Sequence, residues 1–363
     1  MKVTGVRVTR YSHRLARRLG KARNPAGTLT TSGCLIELLT DAGPSGIAIG
    51  AHDVGALVER LVKNLVVGTD PGAVAGIWQR AIGSHDGRGA PFNQALAALD
   101  VALWDLKAKA NDEPLWKTLG GARPQANAHA SGVDLTLSDE ELSAWYATMA
   151  RDYGLRGGKL QVGLDQDADL RRLALVRAAL LHTTVEPALM VDADQCWSPK
   201  EAIRKLREME EQFDLACVEG VCRSWDFPGV KQVSNAIRSA VCVGEGLGGL
   251  ETFLPHFHQR SADVIQIDIA TQGITGALQL ADAAYGYELP VTLCASPGNI
   301  QAHLASVMPY FMSMEVVAPA PPTQLYTTDV RIEQGWAIAG DAPGHGLAVD
   351  REALAVAATR AGN

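Results

Sequence analysis

Three acids stand where three short apolar runs end: Asp192 in "ALMVDAD", Glu219 in "DLACVEG" and Glu245 in "AVCVGEG". They are spaced by 27 and 26 residues (192 to 219, 219 to 245), one strand-plus-helix unit each time. Asp268 in "VIQIDIA" follows 23 residues after Glu245, and Glu315 lies in "FMSMEVV". Carboxylates gathered in one pocket repel one another and lose hydration. A hard divalent cation relieves both, and all-oxygen ligation suits Mg²⁺ or Mn²⁺. The competing reading is that each acid caps the next helix or pairs with a surface base. The regular spacing, each time directly behind an apolar run, favours a shared site.

A second signal is "GGKLQVG", residues 157–163. Lys159 and Gln161 are two apart, so on a strand they face the same side. The lysine offers fixed positive charge. The glutamine only exchanges hydrogen bonds, since an amide takes no proton near neutral pH.

The elements that must position these residues follow from periodicity. From Ala126 onward, eight apolar runs alternate with amphipathic stretches: "ANAHASGVDL", "GGKLQVG", "ALMVDAD", "DLACVEG", "AVCVGEG", "VIQIDIA", "PVTLCAS" and "FMSMEVV". This is the texture of βα units on a parallel sheet, and eight of them favour a closed barrel with all strand C-termini on one face. The stretch "SPKEAIRKLREMEEQ" predicts one helix in detail. Ser198 is its N-cap, Pro199 its first residue and Glu201 the partner in a capping box. Ile203, Leu206 and Met209 recur at helical spacing.

Upstream, "KVTGVRVTRYS" and "CLIELLTDAGPSGIAIG" predict a small antiparallel sheet. Between them "HRLARRLGKARNPAGT" reads as a loop, basic and punctuated by Gly and Pro. It is either solvated charge or a mobile lid that brings cations to an anionic substrate. Residues 53–121 are helical in pattern. "FNQALAALDVALWDLKAKANDEPLWKTLGG" is apolar on most faces, hence buried, and Gly120–Gly121 stops it.

Composition excludes several classes. A chain of 363 residues with 47% hydrophobic and 20% charged residues has room for two domains or a capped barrel. Its net charge of −7 gives no basic surface for nucleic acid. No apolar run reaches the roughly 20 residues that span a bilayer. The six cysteines form no CxxC pair, which points to a reducing compartment and away from a disulfide or zinc scaffold. The opening residues lack the apolar core of a signal peptide, so a cytoplasmic enzyme is expected.

Together these motifs resemble the enolase superfamily, of the mandelate racemase and muconate lactonizing enzyme type. "ALAALDVALWDLKAKANDEPLWKTLGG" resembles the helical signature before the barrel, and "LLTDAGPSGIAIG" a hairpin of the cap. "VDAD", "VEG" and "GEG" fall on the metal-ligand positions, and "QIDIATQGITGALQLADAA" resembles the sixth strand and its helix. The resemblance implies an α/β fold, a (β/α)₇β TIM-like barrel with an N-terminal α+β capping domain. Its expected bounds are 1–125 for the cap, 126–330 for the barrel and 331–363 for a segment returning to the cap. It implies a homo-oligomer and a small-molecule carboxylate substrate. It also implies proton abstraction α to that carboxylate, with Mg²⁺ on Asp192, Glu219 and Glu245 stabilising the enediolate. Lys159 matches the lysine that contacts the substrate carboxylate. Asp268 matches an aspartate that pairs with a histidine base, and Glu315 a glutamate that bonds substrate or intermediate.

Two departures bear on the reaction. Gln161 stands where the family has its second lysine, a base. At the end of the seventh strand Ala295 and Ser296 stand in place of a histidine, and His303 further on reads as structural. Some acid-sugar dehydratases of the superfamily place a histidine two residues after the first metal ligand, and here that position is Asp194. It is a weak base, or binds a substrate hydroxyl or a water. Lys159 becomes a base only if burial lowers its pKa. Cys196 and Cys294 lie near strand ends and read as small core residues. Gly220–Val221 replaces a Glu–Pro pair of the family. His52 and Asp53 in "GAHDVG", with Ser296, are substrate-specificity candidates. The expected function is a Mg²⁺-dependent lyase that dehydrates a sugar acid or related hydroxy acid. The alternatives are a racemase or epimerase, which needs two opposed bases, and a metal-binding relative without chemistry.

Overall fold

The computed structural model describes residues 1–84, 89–319 and 325–361, without the side chains of 359–361. The last two residues of the expected C-terminal segment lie outside the described residues. Alternating apolar residues at the start build strands β1 (Val3–Lys21), β2 (Asn24–Thr40) and β3 (Gly46–Ala51), an antiparallel sheet in that order. β2 is buried from Gly33 to Leu38. The helix Ala90–Ala110 packs on β2 and β3, and the C-terminal helix Arg351–Ala361 packs on β1. Most positions of Ala90–Ala110 from Ala95 to Leu106 are buried, as its all-round apolar pattern requires. Gly120, with φ at +90°, turns the chain after it.

The basic run 13–28 is not a loop. β1 and β2 continue through it as a two-stranded arm, with Lys21 opposite Asn24 across a turn at Ala22–Arg23. Its own sequence lacks a clean alternation, and register shifts flank Leu19. A lone two-stranded ribbon is marginal in water, so the arm depends on what it docks against. The Gly20 N–H donates to Val133 O at 3.1 Å, and Leu135 N–H donates to Gly20 O at 3.3 Å. Thr136 Oγ1 donates to Arg18 O at 2.9 Å. The Arg17 guanidinium donates to Gly132 O and lies 5.6 Å from the Trp145 ring centre.

All eight apolar runs become barrel strands: β4 (Gln125–Ser131), β5 (Gly157–Gln161), β6 (Ala188–Asp192), β7 (Leu215–Glu219), β8 (Ala240–Val243), β9 (Val264–Ile267), β10 (Val291–Leu293) and β11 (Phe311–Val316). Neighbours pair in parallel, and β11 closes on β4 with Glu315 opposite His129. The floor of the barrel is plugged by Met190, Cys217, Cys242 and Val264. The predicted helix runs over Pro199–Gln212, with Leu206 and Met209 buried and Ile203 half-buried. Ser198 Oγ accepts from the Glu201 N–H at 3.4 Å. The reciprocal capping box forms instead at Ser138 and Glu141.

Buried carboxylates join cap to barrel. Asp100, on the helix Ala90–Ala110, accepts from the N–H groups of Ile274 and Thr275, each at 2.7 Å, and from Thr275 Oγ1 at 2.6 Å. No described helix is long and apolar enough to cross a membrane.

Candidate active site at the barrel mouth

Strand pleating sends every second side chain inward, and the C-terminal ends of β5, β6, β7, β9 and β11 therefore point their polar residues at one mouth. Lys159 is fully buried there. Its Nζ lies 2.6 Å from Glu219 Oε2 and 3.0 Å from Glu315 Oε1. Burial works to lower the pKa of this ammonium, but Glu219, Glu315 and Asp192 overcome it and raise the value well above that of a free lysine. The acids around Lys159 thus favour its charged form. Glu315 is driven the other way. Burial would raise its pKa, and Lys159, the Ser131 hydroxyl, His129 and the Ala295 N–H hold it low. Tyr146 Oη fixes the strand behind by donating to Lys159 O at 2.6 Å.

Gln161 is buried beside Lys159. Its Nε2 donates to Asp192 Oδ2 at 2.7 Å, while its Oε1 is buried without a partner. Asp192 Oδ1 accepts from the Asp194 N–H at 2.8 Å. Gly220 makes this packing possible. Its φ is +57°, and a Cβ there would stand 2.8 Å from Asp192 Oδ1. Glu219 Oε2 accepts a second bond from Gln266 Nε2 at 2.9 Å. Burial pushes the Glu219 carboxyl up to about 7, with Asp192 and Glu315 adding to the rise and Lys159 opposing it. Glu245 lies two residues past the end of β8 and is the most exposed of the three expected ligands.

Asp268 ends β9 at the same mouth. One oxygen, Oδ1, caps the following helix through the Ala270 N–H at 2.8 Å, so the capping reading and the site reading both hold for it. Burial, helped by Glu245 and Glu315, pushes its carboxyl up to about 6 against the pull of Ala270 N–H and Lys21.

Asp194 is engaged elsewhere. Its Oδ2 accepts from the Arg23 N–H at 2.8 Å and its Oδ1 from Arg23 Nη2 at 2.9 Å. Ser296 donates its hydroxyl to Gln301 Oε1 within its own turn. His52 and Asp53 pair with each other at 2.9 Å on the short helix after β3. Among the described residues no hydrogen bond or ion pair joins either to the acids. His303 is structural as expected: Nδ1 accepts from the Trp116 N–H at 3.2 Å, and burial lowers its pKa to about 3. Cys294 is buried at the end of β10 near Asp268, Glu315 and Glu245. Burial, with those acids, raises its thiol well above the usual range. Cys196 is half-buried.

Sequence reasoning missed Lys21, Arg23 and Gln266. Lys21, at the tip of the cap arm, puts Nζ 2.5 Å from Glu245 Oε1 and 4.0 Å from Asp192 Oδ2. Gln266 lies two residues before Asp268, and the same period-two rule that paired Lys159 with Gln161 would have found it.

The donor set suits a hard divalent ion. Asp192, Glu219 and Glu245 offer only oxygen, and Glu219 is buried among further acids. A cavity of about 20 Å³ beside Glu219, Glu245 and Gln266 has room for one water or one ion. The Lys21 ammonium stands in for a cation between Glu245 and Asp192. Among the described residues no three such side chains stand close enough together to grip a metal as they are placed. Beyond the mouth, between the arm and the turn after β10, lies a cavity of about 400 Å³ lined in part by Tyr11, His13, Leu19, Ser296 and Asn299. Both ring nitrogens of His13 are buried there without partners.

Known proteins match this chain in sequence and fold. Residues 141–353 match the enolase C-terminal domain-like family, and residues 26–120 match the mandelate racemase/muconate lactonizing enzyme N-terminal domain. An L-talarate/galactarate dehydratase of Salmonella typhimurium is 33% identical over 241 residues, 65% of this chain and 59% of that protein's length. An L-Ala-D/L-Glu epimerase of Clostridium acetobutylicum is 26% identical over 78% of this chain and 82% of its own. The crystal structure of a racemase from Streptomyces coelicolor A3(2) with bound magnesium has a TM-score of 0.87 at 26% identity, covering 98% of this chain and 99% of that one. The chain belongs to the enolase superfamily, and within it to the mandelate racemase and muconate lactonizing enzyme type.

Proposed function

We propose that the protein is a Mg²⁺-dependent dehydratase of a sugar acid or a related hydroxy acid. The observation that carries this reading is the pair on β5. Lys159 is a buried permanent cation suited to a substrate carboxylate. Gln161 Oε1 is a buried acceptor with no partner, suited to a substrate hydroxyl. The dehydratase relative, named for two hydroxylated acids, supports the same class.

Asp192, Glu219 and Glu245 would hold the ion, which supplies positive charge to the substrate carboxylate as its α-proton leaves. Asp268 is the base. It has one oxygen free of the helix cap and a carboxyl raised toward neutrality, which strengthens it as a proton acceptor. In the reaction the α C–H and β C–O bonds break: Asp268 takes the α-proton and passes it to the departing hydroxyl, which leaves as water. The remaining enol tautomerises to a 2-keto acid. Glu315 and Lys159 keep each other charged and in place throughout. One base favours a lyase over an epimerase, which needs a second on the opposite face. The cavity beneath the arm would take the rest of the substrate, with His13 as a hydrogen-bond partner. Six free cysteines support action in the cytoplasm, and the family resemblance supports a homo-oligomer.

The test is to incubate Mg²⁺-loaded protein in D₂O with sugar acids, hydroxy acids and dipeptides. Loss of water with formation of a 2-keto acid is expected for a sugar or hydroxy acid. Deuteration at the α-carbon without water loss, on any member, would replace this reading with the epimerase one.

A further inference from the structure

We propose that Lys21 is a tethered cation that competes with the divalent ion for Asp192 and Glu245. This rests on the metal reading above and adds a residue of the cap to it. The ammonium stands 2.5 Å from Glu245 Oε1 and 4.0 Å from Asp192 Oδ2. A Mg²⁺ ion bound to the same carboxylates needs oxygen contacts of about 2.0–2.1 Å. That would set a dication within a few ångströms of a monocation, and like charges so close repel. An ion held by Glu245 and Asp192 would take the oxygens the Lys21 ammonium now faces, so metal entry requires Lys21 to leave.

The position of Lys21 is imposed by the arm. The Gly20 backbone is bridged to Val133 and Leu135, and Arg23 clasps Asp194 through its N–H and its guanidinium. The two residues flanking Ala22 thus both answer acids at the mouth, Lys21 facing Glu245 and Asp192 and Arg23 facing Asp194. Without metal the arm offsets part of the mouth's negative charge and is held in place by it. With metal bound, one of its two charged clasps is released.

The experiment measures Mg²⁺ affinity by calorimetry for the wild type, Lys21→Met and Lys21→Arg, each checked for native circular dichroism. Lys21→Met should bind Mg²⁺ at least ten-fold more tightly than wild type, and Lys21→Arg should stay within about three-fold of it. Equal or weaker binding by Lys21→Met overturns the proposal while leaving the metal site intact. No binding by any of the three overturns the metal reading and the proposal with it. The wild type alone gives a second readout: Mg²⁺ should speed hydrogen exchange at the amides of residues 20–24. Slower exchange there on adding Mg²⁺ overturns the release of the clasp.

Discussion

Gln161 Nε2 donates to Asp192 Oδ2 across 2.7 Å, from one barrel strand to the next. The glutamine that breaks the family's lysine pattern thus orients a carboxylate expected to hold metal, and its other end is a buried acceptor without a partner. Gln161→Leu keeps the size and removes both functions. Outer hydrogen bonds of this kind are worth about 10–100-fold in metal affinity. The variant should lose Mg²⁺ affinity in that range by calorimetry and raise KM for a hydroxy acid. Unchanged affinity would show that Asp192 needs no such orientation.

The role proposed for Asp268 predicts the pH profile. A base works only when ionised, so the rate should rise with pH through a limb near 6 and then level off. Asp268→Asn should remove that limb and lower kcat by about 10²–10⁴-fold. A variant that retains the limb assigns the base elsewhere.

The docked arm depends on a bare backbone at Gly20, where a Cβ would lie 2.6 Å from Thr136 Cγ2. Gly20→Val should prevent the arm from seating on the loop after β4. Near-native thermal stability, faster proteolysis within residues 15–28 and a KM raised several-fold are the expected outcome. An unchanged cleavage pattern would mean that the arm seats without this contact.

Asp100 accepts three hydrogen bonds from Ile274 and Thr275 in a fully buried position. Asp100→Ala strands those donors, and the cost should be about 2–4 kcal/mol in denaturant unfolding, with Asp100→Asn milder. Two separate transitions in place of one would show cap and barrel uncoupling.

The barrel was legible because each strand is short, apolar and followed by an acid or a turn, and because parallel strands buried on both sides need no subtle pattern. The acids on β6, β7 and β9 were legible from spacing alone. The arm was not. Its strands carry Arg, Lys and Gly where a strand signal needs β-branched or aromatic residues, and its stability comes from bonds to residues 132–136 that no local pattern encodes. Lys21 and Arg23 were therefore read as charges of a loop, whereas they pair with Glu245 and Asp194. Asp194 looked available because its partner, Arg23, is distant in sequence. The ownership of a charge is a tertiary property.

Closure of the ring through β11 and β4 has a consequence for synthesis. Lys159 leaves the ribosome long before Glu315, one of its two close counter-charges. Until the final strand arrives, β4 and β10 each present a raw edge, and the lysine lies in a half-neutralised pocket that resists desolvation. A chain truncated before residue 311 already carries the acids of β6 to β9 yet cannot assemble the mouth. Such a product should appear in cells as aggregate or degraded chain rather than as an enzyme of reduced rate.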